Sequence, residues 1–375
     1  MELFDICNDE GIPTGETVER SIAHRDGIPH RTVHIWITRE KDGQRQILLQ
    51  QRSLQKDSFP GLFDTSSAGH LLAGDEPIEG AVREFEEELG IKALPEELHF
   101  AGTFHIAYEV EFHGAPFKDN EVAFVYVYDG DVDIRDLTLQ EEEVIGVEWF
   151  DLEEVYEEVR LRHRERFCVP IEGLDVLKHY LRDRRLEKQL AFALEIDKEK
   201  NIFRQTHLSG HGRNENDAEH AWHMAIMAYL LKEYSNEPVD IAKVMLMCLL
   251  HDIVEIDAGD TYAYDEEALK TQKLREEAAK ERIFSLLPSD QKEELIKVFD
   301  EFEAYETPEA KFAHVMDNFQ PLILNDSNDG GDWKEHEVTA EQVYGRQKNN
   351  RLGSERLFEE TDRILKKHIE RGSLK

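Results

Sequence analysis

The chain has little cysteine, few basic residues and no long apolar run, and each shortage narrows what it can be. Cys7, Cys168 and Cys248 are the only three cysteines in 375 residues; they lie far apart, are odd in number and form no CxxC. Neither a disulfide framework nor a cysteine zinc site is therefore indicated, and a reducing, cytoplasmic location is expected. Lys and Arg number 45 against 81 Asp and Glu, a formal net charge of −36. A phosphate backbone is bound by counterion release to basic clusters, so no nucleic-acid partner is expected, nor an anionic membrane. The most apolar run, Val244 to Leu250, is far shorter than a bilayer-spanning helix, and MELFDICNDE lacks the basic start and apolar stretch of a targeting segment. Only 11 Pro and 22 Gly accompany 40% apolar residues, a composition of folded chains.

The runs RTVHIWIT, QILLQQR, EVAFVYVY and IGVEWF are rich in β-branched and aromatic residues and are separated by turn formers, so they predict strands. Between them PIEGAVREFEEELG predicts a helix: Pro77 suits its first turn, Ile78, Ala81, Val82, Phe85 and Leu89 recur at helical spacing, and Gly90 suits the position after its end. From about Asp151 the pattern is helical throughout. The length fits two domains, an α/β part at 1–184 and an all-α part at 185–375, cut within the charged stretch LRDRRLEKQ.

On the predicted helix, Glu84, Glu87 and Glu88 are three and four residues apart and share one face. Alone, EFEEEL reads as a solvated acidic face; a hard divalent cation such as Mg²⁺ or Mn²⁺ among the carboxylates is the functional alternative. The wider segment GHLLAGDEPIEGAVREFEEELGI places Gly69, Arg83, Glu84, Phe85, Glu87, Glu88, Gly90 and Ile91 at the positions of the Nudix signature, with Asp75 in place of its first Glu. The first part thus resembles Nudix hydrolases. The resemblance implies an α/β/α sandwich that cleaves a nucleoside diphosphate linked to another group, with Glu84, Glu87 and Glu88 holding Mg²⁺ or Mn²⁺, Glu87 also serving catalysis, and Arg83 orienting the glutamates.

ELFDICNDEG, QRSLQKDSFPGLFDTSSAGH and NEVAFVYVY resemble the Nudix branch related to isopentenyl-diphosphate isomerases. Those isomerases need a Cys where this chain has Ala68, which favours hydrolysis over isomerisation. Glu121 is a candidate further ligand or base, against the plain alternative of a solvated edge-strand Glu, and His70 carries less weight.

In the second part His220 opens one apolar helix, His251 and Asp252 end another, and Asp317 lies within a third. Each alone is an ordinary core polar residue, but a charged pair at an apolar helix end is costly unless it is paired or binds metal. The order H…HD…D resembles the HD phosphohydrolase superfamily, and RNENDAEH with HDIVEIDAGD is similar to its 5′-deoxynucleotidases. The resemblance implies one Mn²⁺, Co²⁺, Fe²⁺ or Zn²⁺ on His220, His251, Asp252 and Asp317, with Glu255 and Asp260 at the attacking water and leaving group. Glu255, four residues past His251, is expected on the same helical face. Arg213 is the candidate phosphate-binding residue. The Arg-Trp pair of the deoxynucleotidase pocket finds no clear counterpart in FRQTHLSGHG, Trp222 reads as core, and Lys334 in NDSNDGGDWKEHEV is a candidate near a phosphate.

Together these readings describe a two-domain metallohydrolase of small phosphorylated molecules, with a nucleotide as the expected substrate. HD relatives are often dimers, so a homodimer is a further expectation. A ligand-sensing Nudix half that regulates the HD half is the alternative.

Overall fold

The computed structural model describes residues 2–375 apart from 42, 57, 113–114, 162–164 and 260–265. The chain divides into two compact units, Met1–Arg185 and Leu186–Lys375.

In unit 1 a hairpin of β1 (Leu3–Cys7) and β2 (Pro13–Glu19) leads into α1 (Arg20–Asp26). A seven-stranded mixed sheet follows: β3 (His30–Lys41), β4 (Gln44–Arg52), β5 (Phe63–Asp64), β6 (Ser67–His70), β7 (His99–Phe112), β8 (Ala115–Tyr128) and β9 (Val144–Asp151). The order is β5-β4-β3-β8-β7, with β6 on β3 and β9 on β4; β3 and β8 run parallel. Side chains alternate across a strand, so Val33, Ile35 and Ile37 of β3 enter the core under α2 (Pro77–Leu89), with Phe85 and Leu89. Trp36 points the other way and meets Val125, Val127, and residues of α3 (Leu152–Arg160) and α4 (Ile171–Glu195). Two helical layers therefore sandwich the sheet.

The four strands predicted from sequence lie within β3, β4, β8 and β9, and the predicted helix is α2, ended by Gly90 in the left-handed region at φ 72°. The residues around 184 fall inside α4, a single uninterrupted helix, which is why no Pro- or Gly-rich linker marks the change of domain.

Unit 2 contains β10 (Phe203–His207), β11 (Asn214–Asn216), α5 (Asp217–Leu231), α6 (Ile241–Leu250), α7 (Glu255–Ala258), α8 (Glu266–Phe284), α9 (Ser289–Ala304), α10 (Pro308–Ser327), α11 (Gly331–Glu335), α12 (Ala340–Gln347), α13 (Asn350–Gly353) and α14 (Glu355–Glu370). Helix α10 is central, packing on α5, α6, α9 and α14, with Phe312, Val315, Met316 and Phe319 in the core. The structure departs from the expected unbroken helical run twice. Phe203–His207 and Asn214–Asn216 pair as a short antiparallel ribbon. The helix expected through HDIVEI ends at Leu250; Ile253 and Glu255 instead bond three residues back, to Leu250 at 3.3 Å and Asp252 at 2.8 Å, before α7 begins. Glu255 is therefore brought to the site by a turn and not by continuous helix.

Candidate metal centres

In unit 1, α2 packs its acidic face on β6. Glu88 is buried and its Oε2 accepts hydrogen bonds from the Ala68 amide (3.1 Å) and Gln50 Nε2 (3.3 Å); burial pushes its pKa up to about 7. The Glu84 carboxyl lies over Gly69 so closely that a Cβ there would sit 2.1 Å from Glu84 Cδ. Burial also raises its pKa. Arg83 braces the group: Nη1 donates to Glu84 Oε1 at 2.6 Å and lies 3.6 Å from Glu87 Oε2, while Nη2 donates to the His70 carbonyl and Asp75 Oδ2, each at 3.2 Å. Asp75 also accepts from the Leu72 amide at 3.1 Å, so it closes the loop before α2. Glu87 is about half-exposed. Glu84 and Glu88, desolvated on the face of α2 that packs on β6, are hard oxygen donors that suit a divalent ion such as Mg²⁺ or Mn²⁺, whose charge would offset their repulsion.

A second cluster in unit 1 joins the candidates Glu121 and His70 to His24 and His30, which nothing in the sequence singles out. His24, His30, His70 and Glu121 each offer a ligand atom within 4.8 Å of the others. Glu121 is not on an edge: β8 lies between β3 and β7, and the side chain is buried. His24 Nδ1 faces the Arg20 carbonyl (3.0 Å) and His30 Nδ1 the Ile28 carbonyl (2.9 Å), so both Nε2 atoms are turned inward. His70 Nε2 is 3.4 Å and His30 Nε2 3.8 Å from Glu121 Oε1, and His30 Nε2 has no hydrogen-bond partner. Burial lowers the pKa of His24 and of His70 to about 3, keeping them neutral. Neutral imidazoles with an inward Nε2, an outer contact fixing the tautomer and a facing carboxylate are the donor set of a first-row divalent ion. The ligands are scattered over α1, β3, β6 and β8, so no local spacing signals them.

In unit 2 two helices, α5 and α10, and the turn after α6 bring the four predicted ligands together. His220 stands in the first turn of α5, which Asn216 and Glu219 cap reciprocally. Its Nδ1 meets Gln320 Oε1 at 2.9 Å, and its Nε2 lies 3.3 Å from Asp317 Oδ1 and 4.0 Å from Asp252 Oδ2. His251 Nδ1 meets the Cys248 carbonyl at 3.0 Å; its Nε2 is 3.1 Å from Asp252 Oδ2 and 3.8 Å from Asp317 Oδ1 but makes no hydrogen bond. That orphaned, inward-facing nitrogen is the observation that best fits a metal ion. Burial alone would lower the His251 pKa, yet Asp252 and Asp317 outweigh it and push it up to about 9. Burial together with Asp252 and Asp217 pushes Glu255 up to about 12.

Two cations that the sequence reading missed flank the ligands. Arg204 of β10, in the FRQT segment where no counterpart was apparent, donates through Nη1 to Asp252 Oδ2 (2.7 Å) and Asp217 Oδ1 (3.3 Å). Arg346 of α12 lies 3.7 Å from Asp317 Oδ2. Both line a cavity of about 630 Å³ with His251, Asp252, Glu255 and Asp317. Arg213 is not brought there: it is exposed and bound to Glu219 (Nη1 to Oε2, 2.8 Å). Lys334 is also spent elsewhere, donating to the Asp329 carbonyl at 2.9 Å. Trp222, expected in the core, is 63% exposed. His223 serves as support, 3.1 Å from the Gln320 amide that meets His220. Asp260 lies outside the described residues.

The Nudix domain model matches residues 28–168 and the HD domain model residues 196–357. An uncharacterised Nudix hydrolase of Clostridium acetobutylicum is 36% identical over 154 residues, 41% of this chain and 72% of that protein. The chain belongs to the Nudix family. An HD domain follows in the same polypeptide. Nudix hydrolase 3 of Arabidopsis thaliana is 43% identical over 155 residues, 41% of this chain but only 20% of that protein's length. The crystal structure of a predicted metal-dependent phosphohydrolase from Magnetospirillum magnetotacticum is 46% identical, covering 51% of this chain and 96% of that one with a TM-score of 0.49. Among the described residues no helix is long and apolar enough to cross a membrane.

Proposed function

We propose that the chain is a bifunctional cytoplasmic metal-dependent hydrolase, in which the Nudix domain cleaves the pyrophosphate of a nucleoside diphosphate-linked compound and the HD domain removes phosphate from a nucleoside 5′-monophosphate. The observation that carries the HD assignment is the convergence of His220, His251, Asp252 and Asp317, the last three lining a cavity of about 630 Å³, a volume ordinary for a small ligand. For the Nudix half it is Arg83 tying the Glu84 carboxylate of α2 to the β6 backbone. Divalent ions bound at these groups would polarise the phosphoryl oxygens and offset the charge of the leaving phosphate.

The chain's own residues do the rest. Arg83 holds Glu84 and keeps its other nitrogen on the β6 carbonyl, so the carboxylates are oriented before substrate arrives. Glu87, reachable from solvent, can take a proton from the attacking water. In unit 2, Glu255 stands beside Asp252 and Asp217 where it can hold or move a proton at the attacking water. Ala68 places a methyl group where an isomerase of the related branch has its thiol, so hydrolysis is favoured over double-bond migration.

The products connect: hydrolysis of a nucleoside diphosphate-linked compound yields the monoester class that the HD half would consume. The test is a screen of nucleotides, dinucleotides and nucleotide sugars on wild type, Glu87→Ala and Asp252→Ala. The expected result is loss of pyrophosphatase activity alone in the first variant and of monoesterase activity alone in the second. Loss of both activities in either would refute two independent sites, and altered HD rates with intact ligand binding in Glu87→Ala would favour a sensing Nudix half.

The partner that fits unit 2 best is a second copy. Trp222 (63% exposed), Ile226 (42%), Tyr229 (51%) and Leu230 (65%) on α5, with Leu249 (42%) on the adjoining α6, leave on the order of 500 Å² of apolar side chain in water. This approaches the ~800 Å² that each partner buries in a standard interface. From Ala221 to Leu231 α5 carries no Asp, Glu, Lys or Arg, so this face is one where two copies of a strongly acidic chain can meet without opposing charges. Ile226→Asp should shift the sedimentation coefficient of a dimer to that of a monomer; a monomeric wild type would refute it.

A further inference from the structure

We propose that Arg346 is the residue that grips the substrate phosphate in the HD unit. The inference rests on the phosphomonoesterase reading of that unit and adds the group that would bind its anion.

The cavity is an unwelcoming place for a dianion. Besides the metal-centre acids Asp252, Asp317 and Glu255, it is lined by Glu276, Glu303 and Asp332, and the only permanently cationic side chains among its described lining residues are Arg204 and Arg346. Arg204 is committed: its side chain is only 11% exposed and Nη1 is bonded to both Asp252 and Asp217. Removing it from those carboxylates would leave two buried negative charges facing each other, so it serves as a fixed counter-charge.

Arg346 is held differently. Its Nε donates to Asn318 Oδ1 at 2.9 Å, and Asn318 is itself immobilised: its Nδ2 donates to the His314 carbonyl (3.0 Å) and to Asn350 Oδ1 (3.1 Å), while its carbonyl accepts from Gln347 Nε2 (2.8 Å). The guanidinium plane is therefore set by a network one residue deep. Its terminal nitrogens make no hydrogen bond among the described residues; Nη2 stands 3.7 Å from Asp317 Oδ2, an electrostatic contact beyond hydrogen-bond length. The side chain is 32% exposed while lining the cavity. A planar fork, anchored at Nε, with neither end in a hydrogen bond and placed beside a predicted metal ligand, is the geometry that receives two oxygens of a phosphomonoester.

Arg346 lies on α12, beyond α10 and α11, so neither the metal-ligand order nor any local motif points to it. The residue singled out from the sequence, Arg213, is tied to Glu219 on the surface.

The experiment uses the full chain loaded with Mn²⁺. Inorganic phosphate is titrated calorimetrically into wild type, Arg346→Met and Arg346→Lys, and p-nitrophenyl phosphate hydrolysis is followed for KM and kcat. Arg346→Met should weaken phosphate binding tenfold or more and raise KM in step, with the unfolding temperature and Mn²⁺ stoichiometry unchanged. Arg346→Lys should restore part of the affinity, since it keeps the charge and loses the fork. Unchanged phosphate affinity in Arg346→Met at saturating Mn²⁺ would overturn the proposal, and a loss confined to Mn²⁺ binding would show that the side chain only neutralises Asp317. A wild type that neither binds phosphate nor cleaves any monoester would instead overturn the phosphomonoesterase reading itself.

Discussion

Gly69→Ala is the sharpest single test of the Nudix site, because one methyl group lands on one carboxylate. The added Cβ would lie 2.1 Å from Glu84 Cδ, 2.2 Å from Oε2 and 2.6 Å from Cγ. Carbon atoms in contact sit about 3.5–4.0 Å apart, so the carboxyl must retreat by roughly 1.5 Å. The backbone at 69 is not in the left-handed region, so the contact is the whole perturbation. What must move is the end of a flexible side chain, so the fold survives at a cost of about 1–3 kcal/mol, a fall of a few degrees in unfolding temperature. The same retreat breaks the 2.6 Å hydrogen bond from Arg83 and displaces a group that would hold metal. Misplacement by about 1 Å at a reacting centre costs on the order of 10²-fold in rate. The assay is hydrolysis of whichever diphosphate-linked compound the wild type cleaves, with monoester hydrolysis on the same preparation as internal control and calorimetric unfolding alongside. Retention of a third or more of the pyrophosphatase activity would show that Glu84 is not at the reacting centre, and parallel loss of monoesterase activity would show that the damage is global.

Glu88, raised to about 7 by burial, must lose its proton to bind a cation, so apparent Mg²⁺ affinity at this site should fall about tenfold from pH 8 to pH 6; a flat profile refutes it. In the ion-free chain the sign for stability is the opposite. A carboxyl raised from 4.5 to about 7 contributes stability that is present below 4.5 and lost as pH rises through 7, up to about 3 kcal/mol, measurable by urea unfolding with chelator present. His30→Ala should remove one equivalent of bound Co²⁺, read from its visible absorption, without abolishing Mg²⁺ binding at Glu84 and Glu88; unchanged Co²⁺ stoichiometry would dismiss the histidine cluster as a metal site. Arg204→Ala should destabilise ion-free unit 2 by about 3–5 kcal/mol, since Asp217 and Asp252 lose their shared cation, with Mn²⁺ restoring part of the loss; a change below 1 kcal/mol would mean those carboxyls are neutral.

What could be read from the sequence was whatever is local along the chain. Helix α2 displays its capping residues, its apolar period and its three carboxylates within fourteen residues, and β3 and β8 display their alternation; such signals need no partner. Strand β6 was invisible because Ser67–His70 has no β-branched residue and is a strand only through its pairing with Thr32–Ile35 of β3. The same pairing brings His70 to the histidine cluster, and the parallel register of His30 with Glu121 brings in the carboxylate, over a separation of ninety-one residues. In unit 2 the doublet His251–Asp252 stood out because polar residues at an apolar helix end are costly, whereas Arg204 and Arg346 sat in ordinary polar surroundings. Their significance exists only once the acids Asp217, Asp252 and Asp317 have been assembled from separate elements and their negative charge has to be met. A candidate ligand's identity can thus be local while the counter-charge it requires is a property of the fold, and that is why His220, His251, Asp252 and Asp317 are singled out as candidates by the sequence and the arginines facing them are not.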